Sequence, residues 1–356
     1  MKNILLVDDS ALMRRVLCDI INSDKRFHVE DRAINGLDAL DLLSRKTYDA
    51  VVLDVNMPKM NGLELLRELQ KRKIQAKVMM ASTDTMEGAK TTLDALELGA
   101  IDFIHKPTNA LDCRDDDFKE RMLATLAAVA ESRNISITKA FNIEEIKDTR
   151  KVVELVSRSS TAVRGNKVVA LASSTGGPKA LQAVIPKLPA NLKCPVVVVQ
   201  HMPPGFTASL AERLDSLSEV HVKEAAEGDV LEAGTVYIAR GGKHLNIITQ
   251  VGKYSIHYSD EPSREGVKPC ANYMYESLMT SHYDEIVCVV MTGMGADGTQ
   301  GIEHLKEKKK VHVIAQEAST CAVYGMPKSI VTAGLADQIV PLEQIAQEII
   351  MNVGVK

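Results

Sequence analysis

Asn3-Ile4-Leu5-Leu6-Val7-Asp8-Asp9 opens the chain with an apolar run cut off by two acids, and the amphipathic segment Ala11–Asn22 follows directly. A short apolar run bounded in this way reads as a buried strand, and the helical pattern behind it completes a strand–helix unit. The unit recurs. Further strands are expected at His28–Ala33, Ala50–Leu53, Lys77–Ala81 and Asp102–Ile104, with helices at Gly36–Ser44 and Leu63–Lys73. Strand–helix alternation at this spacing predicts a parallel sheet with helices on both faces. Beyond it the sequence turns polar and charged, with one weak helical pattern at Ile143–Val156, which reads as a linker. Strand-like runs resume at Lys167–Ala172, Pro195–Gln200, Val236–Ala239, Glu285–Met291 and Val311–Ala315. The expected organisation is α/β throughout: two doubly wound domains at 1–125 and 166–356, joined by a linker at 126–165.

A chain of 356 residues accommodates two such domains, and 45% hydrophobic with 25% charged residues is ordinary globular composition. Five Phe, eight Tyr and no Trp leave little for base or sugar stacking, and a net charge of −4 gives no basic footprint for nucleic acid. Cys18, Cys113, Cys194, Cys270, Cys288 and Cys321 form no C-x-x-C pair and read as reduced core residues. The first apolar run is too short and too acidic for a signal peptide, and no stretch is long enough to span a bilayer. A cytoplasmic protein is expected, with no direct membrane insertion.

Asp8 and Asp9 follow one predicted strand and Asp54 ends another. In a parallel sheet these ends share one edge, where ligands collect. Clustered carboxylates call for a cation, and oxygen ligands with open positions suit Mg²⁺. Other strand ends supply the Ser82 hydroxyl and the Lys106 ammonium. A carboxylate nucleophile with a divalent cation, a lysine and a hydroxyl is the equipment of phosphoryl transfer to aspartate. Any one of these acids could simply cap a helix; the full set at successive strand ends is far harder to obtain by chance. Val7-Asp8-Asp9, Asp54-Val55-Asn56-Met57-Pro58, Gly62, Ser82 and Phe103-Ile104-His105-Lys106-Pro107 together resemble a response-regulator receiver domain, flavodoxin-like in fold. The resemblance implies that Asp54 accepts phosphate from a histidine kinase. It further implies that Asp8, Asp9, Asp54 and the Asn56 carbonyl hold Mg²⁺, that Ser82 and Phe103 form the switch, that Lys106 contacts the phosphate, and that Lys106–Pro107 is cis.

The second half carries a different set. The strand ending at Ala172 runs into Ser173-Ser174-Thr175-Gly176-Gly177-Pro178, a turn that presents a serine beside accessible backbone N–H groups. The next strand ends at Gln200-His201, and a later one leads to Thr292-Gly293-Met294-Gly295-Ala296-Asp297-Gly298. Serine, histidine and aspartate at three strand ends on one edge suit a nucleophile, a base and an orienting acid. The 293–298 stretch also fits G-x-G-x-x-G, with Glu317 about 20 residues on, as a dinucleotide site would have it. Asp297 weighs against that, since a carboxylate inside the loop repels pyrophosphate.

Ser174-Thr175-Gly176-Gly177, Gln200-His201-Met202-Pro203-Pro204-Gly205-Phe206-Thr207, the 292–298 loop, Ala315-Gln316-Glu317 and Gly325-Met326-Pro327 resemble the catalytic domain of the chemotaxis protein-glutamate methylesterase family, CheB. The resemblance implies a Rossmann-like domain with Ser174 as nucleophile, His201 as base and Asp297 as its partner, and no cofactor. Thr175 and Met294 are the oxyanion-hole candidates. It also implies methyl-accepting chemoreceptors as substrates, deamidation of glutamines by the same chemistry, and a receiver that restrains the esterase until Asp54 is phosphorylated. One departure stands out: Ala172-Ser173 replaces the usual Gly-Ala, so Ser173 offers a second hydroxyl beside the nucleophile.

Overall fold

Parallel sheets with buried central strands organise both halves of the chain. The structure is a computed structural model that describes residues 1–82, 86–107, 109, 112–133, 165–250 and 252–355. It divides into two units, Met1–Ile135 and Ser136–Lys356. The expected helix at 143–156 lies outside the described residues.

In the first unit the strands are β1 (Lys2–Val7), β2 (Phe27–Ala33), β3 (Ala50–Asp54), β4 (Val78–Ser82) and β5 (Asp102–His105). They pair in the order β2-β1-β3-β4-β5, every ladder parallel. Helices α1 (Ala11–Ser23), α2 (Gly36–Arg45), α3 (Gly62–Lys71), α4 (Met86–Glu97) and α5 (Asp116–Glu131) alternate with them. Ser10 caps α1 by accepting from the Met13 N–H, and Asn61 with Glu64 forms a capping box on α3. α5 runs past the expected domain end at 125, because Leu126, Val129 and Ala130 are buried in the same core as Phe118 and Met122.

The second unit contains β6 (Lys167–Ser173), β7 (Val196–Gln200), β8 (His221–Glu224), β9 (Thr235–Ile238), β10 (His244–Gln250), β11 (Lys253–Ser259), β12 (Glu285–Val290), β13 (Val311–Gln316) and β14 (Gln338–Val340). Seven of these form a parallel sheet ordered β14-β13-β12-β6-β7-β9-β8, and β10 and β11 make a separate antiparallel hairpin. The helices are α6 (Gly177–Val184), α7 (Phe206–Leu217), α8 (Ala271–Ser277), α9 (Thr299–Lys308), α10 (Met326–Thr332) and α11 (Leu342–Val353). Alternate residues of β6 serve opposite faces, as strand geometry requires. Val168, Ala170 and Ala172 pack with Met274, Tyr275, Ile302 and Met326 from α8, α9 and α10, while Val169 and Leu171 are equally buried. Burial on both faces explains why the central strands read as unbroken apolar runs.

Both sheets reverse direction once. In the first, the chain passes from β1 to one side and then back to β3; in the second, from β6 to β7 and then back to β12. In open α/β sheets the carboxyl ends of the strands at such a reversal are the usual ligand position.

Candidate functional sites at the two sheet reversals

At the first reversal, Asp8 and Asp9 follow β1 and Asp54 ends β3, and carboxylate oxygens of the three lie within 4.8 Å of one another. Gly62 lets α3 begin there: a Cβ at that position would fall 2.5 Å from the Asp54 carbonyl oxygen. Lys106 reaches in from the end of β5, its ammonium 2.8 Å from Asp8 Oδ2 and 2.7 Å from Asp54 Oδ1. Burial raises Asp54 to about 6, with Lys106 opposing and Asp8 adding to the rise. Burial likewise pulls Lys106 down, but Asp54 and Asp8 outweigh it and hold it above the ordinary lysine value.

The remaining expected residues are close in the fold. Ser82 ends β4, buried, and its carbonyl accepts from the Lys106 N–H at 2.8 Å. Phe103 is buried on β5, opposite Met80. Asn56 lies exposed on the turn two residues beyond Asp54. The Lys106–Pro107 bond is not cis. The cis bond found among the described residues is Lys268–Pro269, and with the trans form favoured by about 0.5–1 kcal/mol, X–Pro identity alone selects neither isomer. Three hard oxygen donors around one point, partly neutralised by a single lysine, suit Mg²⁺ with open positions for phosphate oxygens.

At the second reversal, Ser173 pairs with Gln200 as the last rung between β6 and β7. Ser174 and His201 therefore leave adjacent strands at matching positions. Gly176, at φ 75°, turns the chain into α6; left-handed backbone of this kind is what glycine supplies without strain. The Ser174 N–H donates to the Thr292 carbonyl at 3.0 Å, and its Cβ lies so close to Gly293 that a Cβ there would come within 2.7 Å. The Ser174 turn is thus wedged between β7 and the 292–298 loop.

His201 Nε2 lies 2.8 Å from Asp297 Oδ2. That carboxylate is almost wholly buried and takes three more hydrogen bonds: from the Ala271 N–H at 2.6 Å, the Asn272 N–H at 3.0 Å and the Cys270 thiol at 3.0 Å. Burial alone would raise Asp297, but the bonds from His201, Cys270 and Ala271 outweigh it and hold the carboxyl below its ordinary value. Burial and the neighbouring Asp297 push the Cys270 thiol up, so it stays a protonated donor. With Nε2 committed to Asp297, Nδ1 is the ring nitrogen left for a serine proton, the reverse of the common triad. The Ser174 hydroxyl makes no hydrogen bond to another described residue, so the Ser174–His201 link is open here. Catalytic bonds are often long before substrate binds.

Thr175 is buried and Met294 is 40% exposed at the rim. Neither backbone N–H donates to a described residue, so both amides are available to an incoming oxygen. Ser173, by contrast, is fully buried and its hydroxyl donates to Gln200 Oε1 at 2.7 Å, so it is a structural group. Thr292 ties the site together: its hydroxyl lies 3.0 Å from the Thr175 carbonyl and accepts from the Val323 N–H at 3.0 Å, while its own N–H donates to Gln316. Thr292 and Gln200 stand inside the motifs, but nothing in the sequence pattern assigns them these roles, and Cys270 lies outside every motif.

Residues 169–349 match the family described as CheB methylesterase, and residues 4–115 match the response regulator receiver domain. A Pyrococcus horikoshii protein named protein-glutamate methylesterase/protein-glutamine glutaminase is 41% identical over 353 residues, covering 99% of this chain and 94% of the relative. A Bacillus subtilis protein of the same name is 41% identical over 353 residues, covering 98% of each. The crystal structure of the Thermotoga maritima CheB methylesterase catalytic domain superposes with a TM-score of 0.51 at 43% identity, covering 52% of this chain and 97% of that one.

Proposed function

The chain belongs to the CheB methylesterase family, with a response-regulator receiver domain ahead of the catalytic domain, and from that premise we propose that it is a protein-glutamate methylesterase controlled by phosphorylation of Asp54. The observation that carries the reading is the 2.8 Å bond between His201 and the buried Asp297, next to the strand that delivers Ser174.

The Ser174 oxygen attacks the carbonyl carbon of a glutamyl methyl ester while its proton passes to His201 Nδ1. Asp297 orients the ring and stabilises the imidazolium. The Thr175 and Met294 N–H groups receive the developing oxyanion, a contribution typically worth about 10²–10³ in rate for one donor. Collapse of the tetrahedral intermediate expels methanol, which takes the proton back from His201. Water, deprotonated by the same imidazole, then hydrolyses the glutamyl-serine ester and releases a carboxylate. A glutamine amide follows the same route with ammonia as the leaving group, giving the glutaminase activity. The substrates are chemoreceptors, in chemotactic adaptation.

In the receiver, Mg²⁺ would be held by Asp8, Asp9, Asp54 and the Asn56 carbonyl, where it neutralises charge on the phosphoryl oxygens. Asp54 takes the phosphoryl group from a histidine kinase, Lys106 and Ser82 hold its oxygens, and Phe103 moves with Ser82. No helix among the described residues is long and apolar enough to cross a membrane. Methanol release from methylated receptor, measured with the parent and Ser174→Ala, tests the reading. The parent is expected to release methanol and to be labelled by a fluorophosphonate, and the variant to do neither. Labelling that persists in Ser174→Ala and vanishes in Ser173→Ala would move the nucleophile.

A further inference from the structure

The ladder between β6 and β7 stops at Ser173 and Gln200, one residue short of Ser174 and His201. The Gln200 side chain then continues the pairing. Its Nε2 donates to the Ser174 carbonyl at 3.0 Å and to the His201 carbonyl at 3.2 Å, and Gln200 is 1% exposed. We propose that Gln200 is a positioning residue that clamps the backbone of the nucleophile to that of the base, with Ser173 fixing the amide the right way round. The clamp rests on the assignment of Ser174 and His201 given above.

The chemistry of the donors sets the orientation. Backbone carbonyls only accept, so the amide NH₂ must face residues 174 and 201, which leaves Oε1 toward Ser173. A hydroxyl can donate, and Ser173 Oγ does so at 2.7 Å. An alanine at 173 would leave that buried oxygen without the bond. Gly177 supplies an independent sign that the amide belongs there. A Cβ at 177 would fall 2.0 Å from Gln200 Oε1, so the amide can occupy this place only because residue 177 has none. The Gly177 N–H shares the Ser174 carbonyl with Gln200, at 2.7 Å, and the His201 N–H holds the Ser173 carbonyl at 3.2 Å. Ser174 and His201 are thereby tied to one buried amide.

The test uses the full chain in three variants, Gln200→Met, Ser173→Ala and the double, with fluorophosphonate titration counting competent serines. For Gln200→Met, kcat per titrated site and the labelling rate are expected to fall about 10–100-fold, the scale of small misplacements in a reacting pair, with KM within about twofold. Ser173→Ala is expected to lose less, in the same direction, and the double variant to be no worse than Gln200→Met, because the hydroxyl acts through the amide. An unchanged rate per titrated site in Gln200→Met, or losses that simply multiply in the double, overturns the clamp. If Gln200→Met fails to fold, Ser173→Ala decides alone: a lower kcat at constant KM supports the clamp, and parental kcat overturns it. A parent that is never labelled at Ser174 overturns the esterase assignment, and the clamp with it.

Discussion

Asp54 holds its proton more tightly in the fold than in the unfolded chain, and the sign of that shift fixes a pH dependence. Its folded value, about 6, lies above the ordinary 3.8, so between those limits the native state binds more protons than the unfolded chain. The stability this contributes is fully present below the ordinary value and is lost as pH rises through about 6. With Mg²⁺ chelated, Asp54→Asn is expected to gain on the parent in receiver stability from pH 4 to pH 8, by a difference on the order of 1–3 kcal/mol. Denaturant melts across that range check it, and a flat difference would contradict the assignment. Among single residues Asp8, Asp54, Ser174 and His201 are legible in the sequence, because each ends or directly follows an apolar strand, whereas Asp297 sits well inside the loop after β12. The groups that hold these side chains are not legible. Cys270 read as ordinary core, and its bond to Asp297 spans 27 positions, a distance no local pattern reveals.

Strands are most legible where they are central and buried, and obscure where they are short and polar. β1, β3, β4, β6, β7 and β12 stand out as apolar runs, whereas β8 and β14 are short edge strands with polar residues and give no such signal. The hairpin β10–β11 gives no clear signal either, because polar residues interrupt both strands, some of them, such as His244 and Ser255, buried. α8 and α9 pack closely enough that a Cβ on Gly301 would lie 2.8 Å from the Asn272 backbone. Because α8 carries the two N–H groups that bond Asp297, Gly301→Ala is expected to cost about 1–3 kcal/mol and to lower kcat in the surviving fold. Thermal melts and turnover on the same preparation check the pair of effects. Parental stability would show that the contact relaxes freely.

At the scale of the molecule each unit encloses its own core, which is why the strand–helix alternation in the sequence already separated them. A fragment of residues 165–356 is therefore expected to fold and hydrolyse ester without any response to a phosphodonor. In the full chain, Asp54→Asn is expected to keep basal turnover and lose stimulation, where a coupling of ~1–3 kcal/mol corresponds to about 5–150-fold. Equal stimulation of parent and variant by a small phosphodonor would sever the receiver from the esterase. The placement of the second site has one more consequence. Ser174, His201 and the 292–298 loop grow from β6, β7 and β12, three neighbours in the middle of a seven-stranded sheet. Strands so enclosed give up their amide protons last, commonly only when the whole unit opens. Fraying at either border of the sheet leaves Ser174, His201 and Asp297 in register, so in rising urea hydrolysis should persist until the β-core itself melts.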